Sequence, residues 1–185
     1  MKTKLFALLI IGSAVVASSC NKIKEATNKD ITFTSADVTL TVNAPLAEST
    51  IASDIAVNNV EGNLDALIKS NTKGAFGIKN VKSLKVKTLT AEIIQGQNAS
   101  NSFDNLESLS VVISAAGKAD FKVAKSSATS NTATKISFDV SSSTDLRDLI
   151  SASTITYKLN SKVKPALSQT LKIKLVTTYD AVVGL

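Results

Sequence analysis

Apolar residues recur at every second position through much of this 185-residue chain, and that period constrains its fold more than any other feature. Val38, Leu40 and Val42 alternate with Thr39 and Thr41; Leu109, Val111 and Ile113 share one face, as do Ile136, Phe138 and Val140, and again Ile155, Tyr157 and Leu159. The longest run sets Leu171, Ile173, Leu175, Thr177 and Tyr179 against Lys172, Lys174, Val176 and Thr178. Strands that are apolar on one face and polar on the other belong to antiparallel sheets with one side in water. Over 83–93 the phase slips, because Leu84 and Val86 hold one parity and Leu89, Ala91 and Ile93 the other. A β-bulge near Thr88 reconciles them.

Turn-rich spacers at 74–77, 95–101, 116–118 and 126–134 separate the runs, and the spacer Ala116-Gly117-Lys118 reads as a hairpin. Two short stretches carry a helical spacing instead. Asn63 and Asp145 stand as capping residues before Leu64, Leu67 and Ile68, and before Leu146, Leu149 and Ile150. The stretches resemble each other, as a duplicated strand-helix-strand unit would, or two short helices capping the ends of a sandwich. The expectation is an all-β, mainly antiparallel fold: an immunoglobulin-like β-sandwich of about eight strands with two short helices.

The first 19 residues follow a different logic. Lys2 and Lys4 precede the apolar run Leu5-Phe6-Ala7-Leu8-Leu9-Ile10-Ile11, and small residues follow up to Ser19, which is the order of a secretory signal peptide. The apolar part is about 13 residues, short of the roughly 20 that a spanning helix needs. Removal of 1–19 leaves one domain's length of chain, with a formal charge near +4 once Lys2 and Lys4 are discounted. The expected organisation is a signal peptide at 1–19, a polar tether at 20–30 and a single domain at 31–185.

Cys20 is the one cysteine in the chain, so it cannot close an internal disulfide. Its place after Ala17-Ser18-Ser19 resembles the lipobox of bacterial lipoproteins, although Ala17 stands where that pattern prefers Leu, Val or Ile. The resemblance, which covers residues 1–22, extends to envelope lipoproteins of Bacteroidota-type organisms. It implies that Cys20 is the acylated first residue of the mature chain, held in the outer membrane by lipid. By the same resemblance, the mostly basic Asn21-Lys22-Ile23-Lys24-Glu25 favours the periplasmic face over the cell surface.

Histidine is absent, so Ser-His-Asp and Cys-His catalysis, and zinc sites built on His or Cys, have no ligands or bases to draw on. Ser70-Asn71-Thr72-Lys73 matches an S-x-x-K pattern without its companion motifs. The acidic pairs Glu61 and Asp65, Asp104 and Glu107, and Asp145 and Asp148 read as capping and surface charge, and no calcium loop is present. Asn98-Ala99-Ser100 fits an N-glycosylation pattern that carries little weight in a bacterium.

Lysine on the outward parity of the strands is the most suggestive surface feature: Lys85 and Lys87, Lys158, and Lys172 and Lys174. On neighbouring strands they would form a basic face for an anionic lipid headgroup, an envelope glycan or an acidic protein. Alternatively they keep exposed strands soluble and unpaired. One arginine and no tryptophan argue against nucleic acid. The functional expectation is a lipid-anchored, non-enzymatic binding or scaffolding module that needs no cofactor or metal. The alternatives are a lipid-binding domain with an apolar cavity or a serine-lysine hydrolase.

Overall fold

The computed structural model describes residues 28–125, 134–141 and 143–185. Along the chain the elements are β1 (Lys29–Thr34), β2 (Val38–Val42), β3 (Ser49–Glu61), α1 (Leu64–Asn71), β4 (Val81–Gln95), β5 (Leu106–Ser114), β6 (Phe121–Lys125), β7 (Lys135–Ser137), β8 (Asp139–Val140), β9 (Thr154–Val163) and β10 (Leu171–Val183). Short 3-10 turns lie at Ile78–Asn80, Phe103–Asn105 and Arg147–Leu149. All the strand pairs are antiparallel, and they build two packed sheets.

The first sheet runs β1-β10-β4-β7, with β2 continuing β1 along the same edge of β10. The second runs β3-β9-β5-β6-β8. β10 alternates a buried face with a half-exposed one along its whole length, and β9 does nearly the same. Their buried faces meet: Leu40, Val42, Val111, Leu159, Leu171, Ile173 and Leu175 are fully shielded from solvent. Burial on that scale supplies the main stabilisation, at about 1.5–3 kcal/mol per fully buried aliphatic side chain.

The phase slip in β4 is a bulge. Thr178 pairs with Thr88 while Tyr179 pairs with Val86, so Lys87 is the extra residue. It swings outward, which lets Leu84 and Val86 on one side and Leu89, Ala91 and Ile93 on the other all face the core. The hairpin at 116–118 is also present, closed by the Lys118 amide on the Ala115 carbonyl at 3.0 Å, with Gly117 at a positive φ of 71°.

Among the described residues there are ten strands, more than the expected eight. The run 136–140 divides: β7 pairs with β4 in one sheet and β8 with β6 in the other, with Phe138 buried at the crossover. β3 carries no clean period, because residues 50–54 are exposed on both faces. Lys29 and Asp30, assigned to the tether, belong to β1 opposite Val183 and Val182.

Of the two expected helices, α1 forms and the second does not. In α1, Leu64 and Ile68 are buried, but Asn63 offers no side-chain cap; its backbone carbonyl accepts from Leu67 instead. At 145–152 only the 3-10 turn Arg147–Leu149 appears. The Leu146 amide is pinned to the Leu84 carbonyl at 2.7 Å and β9 begins at Thr154, which leaves a shorter span between the two anchors than α1 occupies. Leu146, Leu149 and Ile150 are nonetheless buried, and the Asp145 carboxylate accepts from the Leu84 and Arg147 amides. The two stretches also connect differently. α1 leads from the second sheet to the first, whereas the turn leads from β8 to β9 within the second.

Candidate functional site

The five outward lysines do not form one face. Lys85 and Lys87 on β4 share the first sheet with Lys172 and Lys174 on β10, but Lys158 on β9 belongs to the second sheet. Three of them are engaged by carboxylates. Lys87 Nζ lies 3.1 Å from Asp180, whose acidity is strengthened first by the Thr32 hydroxyl and then by Lys87. Lys174 lies 3.0 Å from Glu92 and 3.9 Å from Asp37, and its pKa is raised chiefly by the hydrogen bond to Glu92.

Lys158 bonds Asp120 at 2.8 Å with Asp54 at 4.0 Å, and the Asp120 contact holds its pKa up. Lys85 and Lys172 make no ion pair among the described residues. Lys85 pairs in register with Asp180, eight residues along β10 from Lys172, which is about 27 Å. The arrangement is alternating surface charge, each pair contributing little to stability in water.

The other sequence candidates are occupied structurally. Ser70 and Lys73 are both exposed and meet only through the Lys73 amide and Ser70 carbonyl at 3.4 Å. Asp65 pairs with Lys69, which lowers its pKa most, and accepts the Ile78 amide at 2.8 Å, which lowers it further. Asp104 lies in the 3-10 turn before β5, where its amide bonds the Ser102 hydroxyl, and Glu107 follows on β5. Asn98, the first residue of the N-x-S pattern, donates to Gln169 and accepts from the Ser100 amide and Asn101.

The groups that the sequence reading missed are the buried polar ones. Asn101, 1% exposed, accepts the Ser168 and Gln169 amides on its Oδ1 and donates to Asn98 and Ser168. Asn105 spans to the Pro165 carbonyl while accepting from the Ser102 amide. Together they brace the loops between β4 and β5 and between β9 and β10 at one pole. An Asn inside a turn-rich spacer gives no sign in sequence of being buried.

Between the sheets, the Tyr157 and Tyr179 hydroxyls lie 2.8 Å apart. Near them a cavity of about 50 Å³ is lined by Ser35, Asp37, Glu61, Leu64, Ile155 and Tyr157 among others. It suits a few water-sized molecules, far below the roughly 300–1,000 Å³ of a small-molecule site. Among the described residues no three acidic, Cys or His side chains gather as metal ligands, and no helix is long and apolar enough to cross a membrane.

The signal segment, Cys20, the tether through residue 27 and the spacer residues 126–133 lie outside the described residues. No protein-family model, curated protein or solved structure matches this chain.

Proposed function

We propose that this chain is a lipid-anchored cell-envelope protein that binds or scaffolds another envelope component without catalysing a reaction. The observation that carries this reading is the polarity of the sandwich. β1 begins at Lys29 beside the end of β10 and against α1, so a chain held at Cys20 enters the domain at that pole. The opposite pole presents the loops between β4 and β5 and between β9 and β10, which Asn101 and Asn105 hold fixed. Pre-organised loops facing away from an anchor suit recognition, because little ordering entropy is lost on binding. The cavity beside Tyr157 is too small for an acyl chain, so it lends lipid carriage no support.

The test has two arms. Fatty-acid labelling and mass spectrometry of the mature N-terminus should show lipid on wild type and none on Cys20→Ser; an unmodified thiol in wild type removes the anchor. Cross-linking in intact envelopes should recover the same component repeatedly with wild type; recovery of none removes the binding role.

A further inference from the structure

The connection from α1 into β4 gathers charge of one sign. Residues 62–82 hold four lysines, Lys69, Lys73, Lys79 and Lys82, against one acid, Asp65. Asp65 is already matched by Lys69 at 2.6 Å and by the Ile78 amide. Lys73, Lys79 and Lys82 are exposed and make no ion pair among the described residues. The segment is also fastened in place. The buried Thr72 hydroxyl donates to the Ile68 carbonyl at 2.8 Å and accepts the Phe76 amide at 3.2 Å, and the Asn80 side chain accepts the Gly77 amide at 3.0 Å. Phe76 and Ile78 pack against the core, so contact through this segment is electrostatic.

The same segment adjoins the point where the chain enters the domain. Asn28 packs so closely on Gly184 that a β-carbon there would meet its side chain. Gly184 in turn bonds Asn80 twice, its amide on the Asn80 carbonyl at 2.9 Å and its carbonyl on the Asn80 side chain at 3.3 Å. Lys79 precedes Asn80, and Val81 lies across β10 from Lys29, with Val183 between them. Residues 20–27 reach at most about 29 Å when extended, so an acyl chain on Cys20 confines this pole close to a bilayer. Other acids at this pole are answered locally: Asp145 by backbone amides, Asp120 by Lys158, and Asp30 and Asp148 by their sequence neighbours Lys29 and Arg147. Glu61 lines the cavity near Tyr157. At the opposite pole the loops 96–105 and 164–170 carry one charge of each sign, Asp104 and Lys164.

We infer that Lys73, Lys79 and Lys82 dock this pole on anionic lipid headgroups, which turns the opposite loops away from the membrane. Each ammonium group near such a surface contributes about fivefold in affinity. Three of them are too few to recruit a free domain tightly and enough to orient one that a lipid already holds nearby. The inference rests on the anchored reading above and names the surface that the entry pole contacts.

The test uses the acylated mature chain in vesicles. With Cys20 acylated, Ala75→Cys or Ala99→Cys supplies the only free thiol for a fluorophore, and the quencher is carried on a lipid headgroup. In phosphatidylcholine vesicles containing phosphatidylglycerol, the label at 75 should be quenched several-fold more than the label at 99. That difference should vanish in pure phosphatidylcholine, at high salt and in the triple variant Lys73→Glu, Lys79→Glu, Lys82→Glu. The charge-matched triple Lys122→Glu, Lys125→Glu, Lys164→Glu should keep it. All six lysines are exposed, and thermal melts confirm that the variants fold. Equal quenching at 75 and 99, no dependence on phosphatidylglycerol, or equal loss in the two triples would overturn the inference. Flotation separates the two levels: wild type that floats with both kinds of vesicle yet shows equal quenching sinks the docking and leaves the anchor, and wild type that carries no lipid and floats with neither sinks both.

Discussion

The Tyr157 hydroxyl of β9 and the Tyr179 hydroxyl of β10 meet at 2.8 Å across the space between the two sheets. Both residues are 2% exposed, so the contact gives each buried phenol a close partner where water is shut out, with the Ser35 hydroxyl also acting on Tyr157. The contact also fixes register, since a slip of one residue in either strand would turn its tyrosine outward. Phe33 packs 5.6 Å from Tyr179 and completes an aromatic seam beside it.

Removing one hydroxyl should therefore cost more per atom than removing both. Tyr157→Phe or Tyr179→Phe deprives a buried phenol of its close partner, at about 1–3 kcal/mol each, while the double variant should fall well short of the sum. Urea unfolding of the four proteins gives the coupling. Additive losses would mean that the hydroxyls act independently.

The same burial predicts loss of stability in alkali. Desolvation raises the Tyr157 pKa above the ordinary value of 10, and burial followed by repulsion from Tyr157 raises Tyr179 well above it. Above pH 10 the unfolded chain has released these protons while the folded one still binds them, so stability falls as pH rises. Below that value the two states hold the same protons and the contribution is flat. Unfolding free energy measured from pH 8 to 11 should decline from about pH 10, less steeply in the double Phe variant. An equal slope in both would show that other groups govern it.

Thr177 lies two residues from Tyr179 and is 1% exposed. Its hydroxyl acts on the Tyr179 phenol in the lowering sense, yet it completes no hydrogen bond of its own. Thr177→Val keeps the shape and the β-branching while removing an unpaired polar atom. It should raise stability by about 1 kcal/mol, visible as a higher urea midpoint; a clear loss would reveal a partner for that hydroxyl, such as a bound water.

The alternation over 171–179 and the changed parity over 83–93 were legible because one residue's slip exchanges the faces of a strand. That is why the β4 bulge falls beside Thr88, where the parity changes. The lysine positions were legible as outward but not as a face, since strand order depends on contacts far apart in sequence, and it separates Lys158 from the rest. β3 escaped because a strand exposed on both sides has no pattern to show. Asn101 and Asn105 escaped because turn composition looks alike whether the amide side chain points to water or braces two loops.

Asn101 invites a direct measurement. Its Oδ1 accepts two backbone amides from the loop before β10, and Asn101→Ala leaves both, with the Ser168 hydroxyl, short of a partner. The expected cost is about 2–4 kcal/mol, from roughly 1–3 for each buried group stranded. Faster amide exchange at Ser168 and Gln169 should accompany it. A loss below about 1 kcal/mol would mean that water replaces the side chain.

Deleting Lys87 tests the bulge. The residue faces outward and is bonded to Asp180 and Thr32, so Lys87→Ala removes only exposed contacts and should stay within about 0.5 kcal/mol of wild type. Deletion instead joins the two parities of β4. Either Leu84 and Val86 or the trio Leu89, Ala91 and Ile93 must then leave the core, and all five are buried at 6% exposure or less. Expelling Leu84 and Val86 alone forfeits about 3–6 kcal/mol of burial, comparable to the whole stability of many domains. The deletion should fail to fold or melt far below wild type, whereas the alanine variant should melt with it. A deletion variant as stable as Lys87→Ala would show that β4 can re-pair without its extra residue.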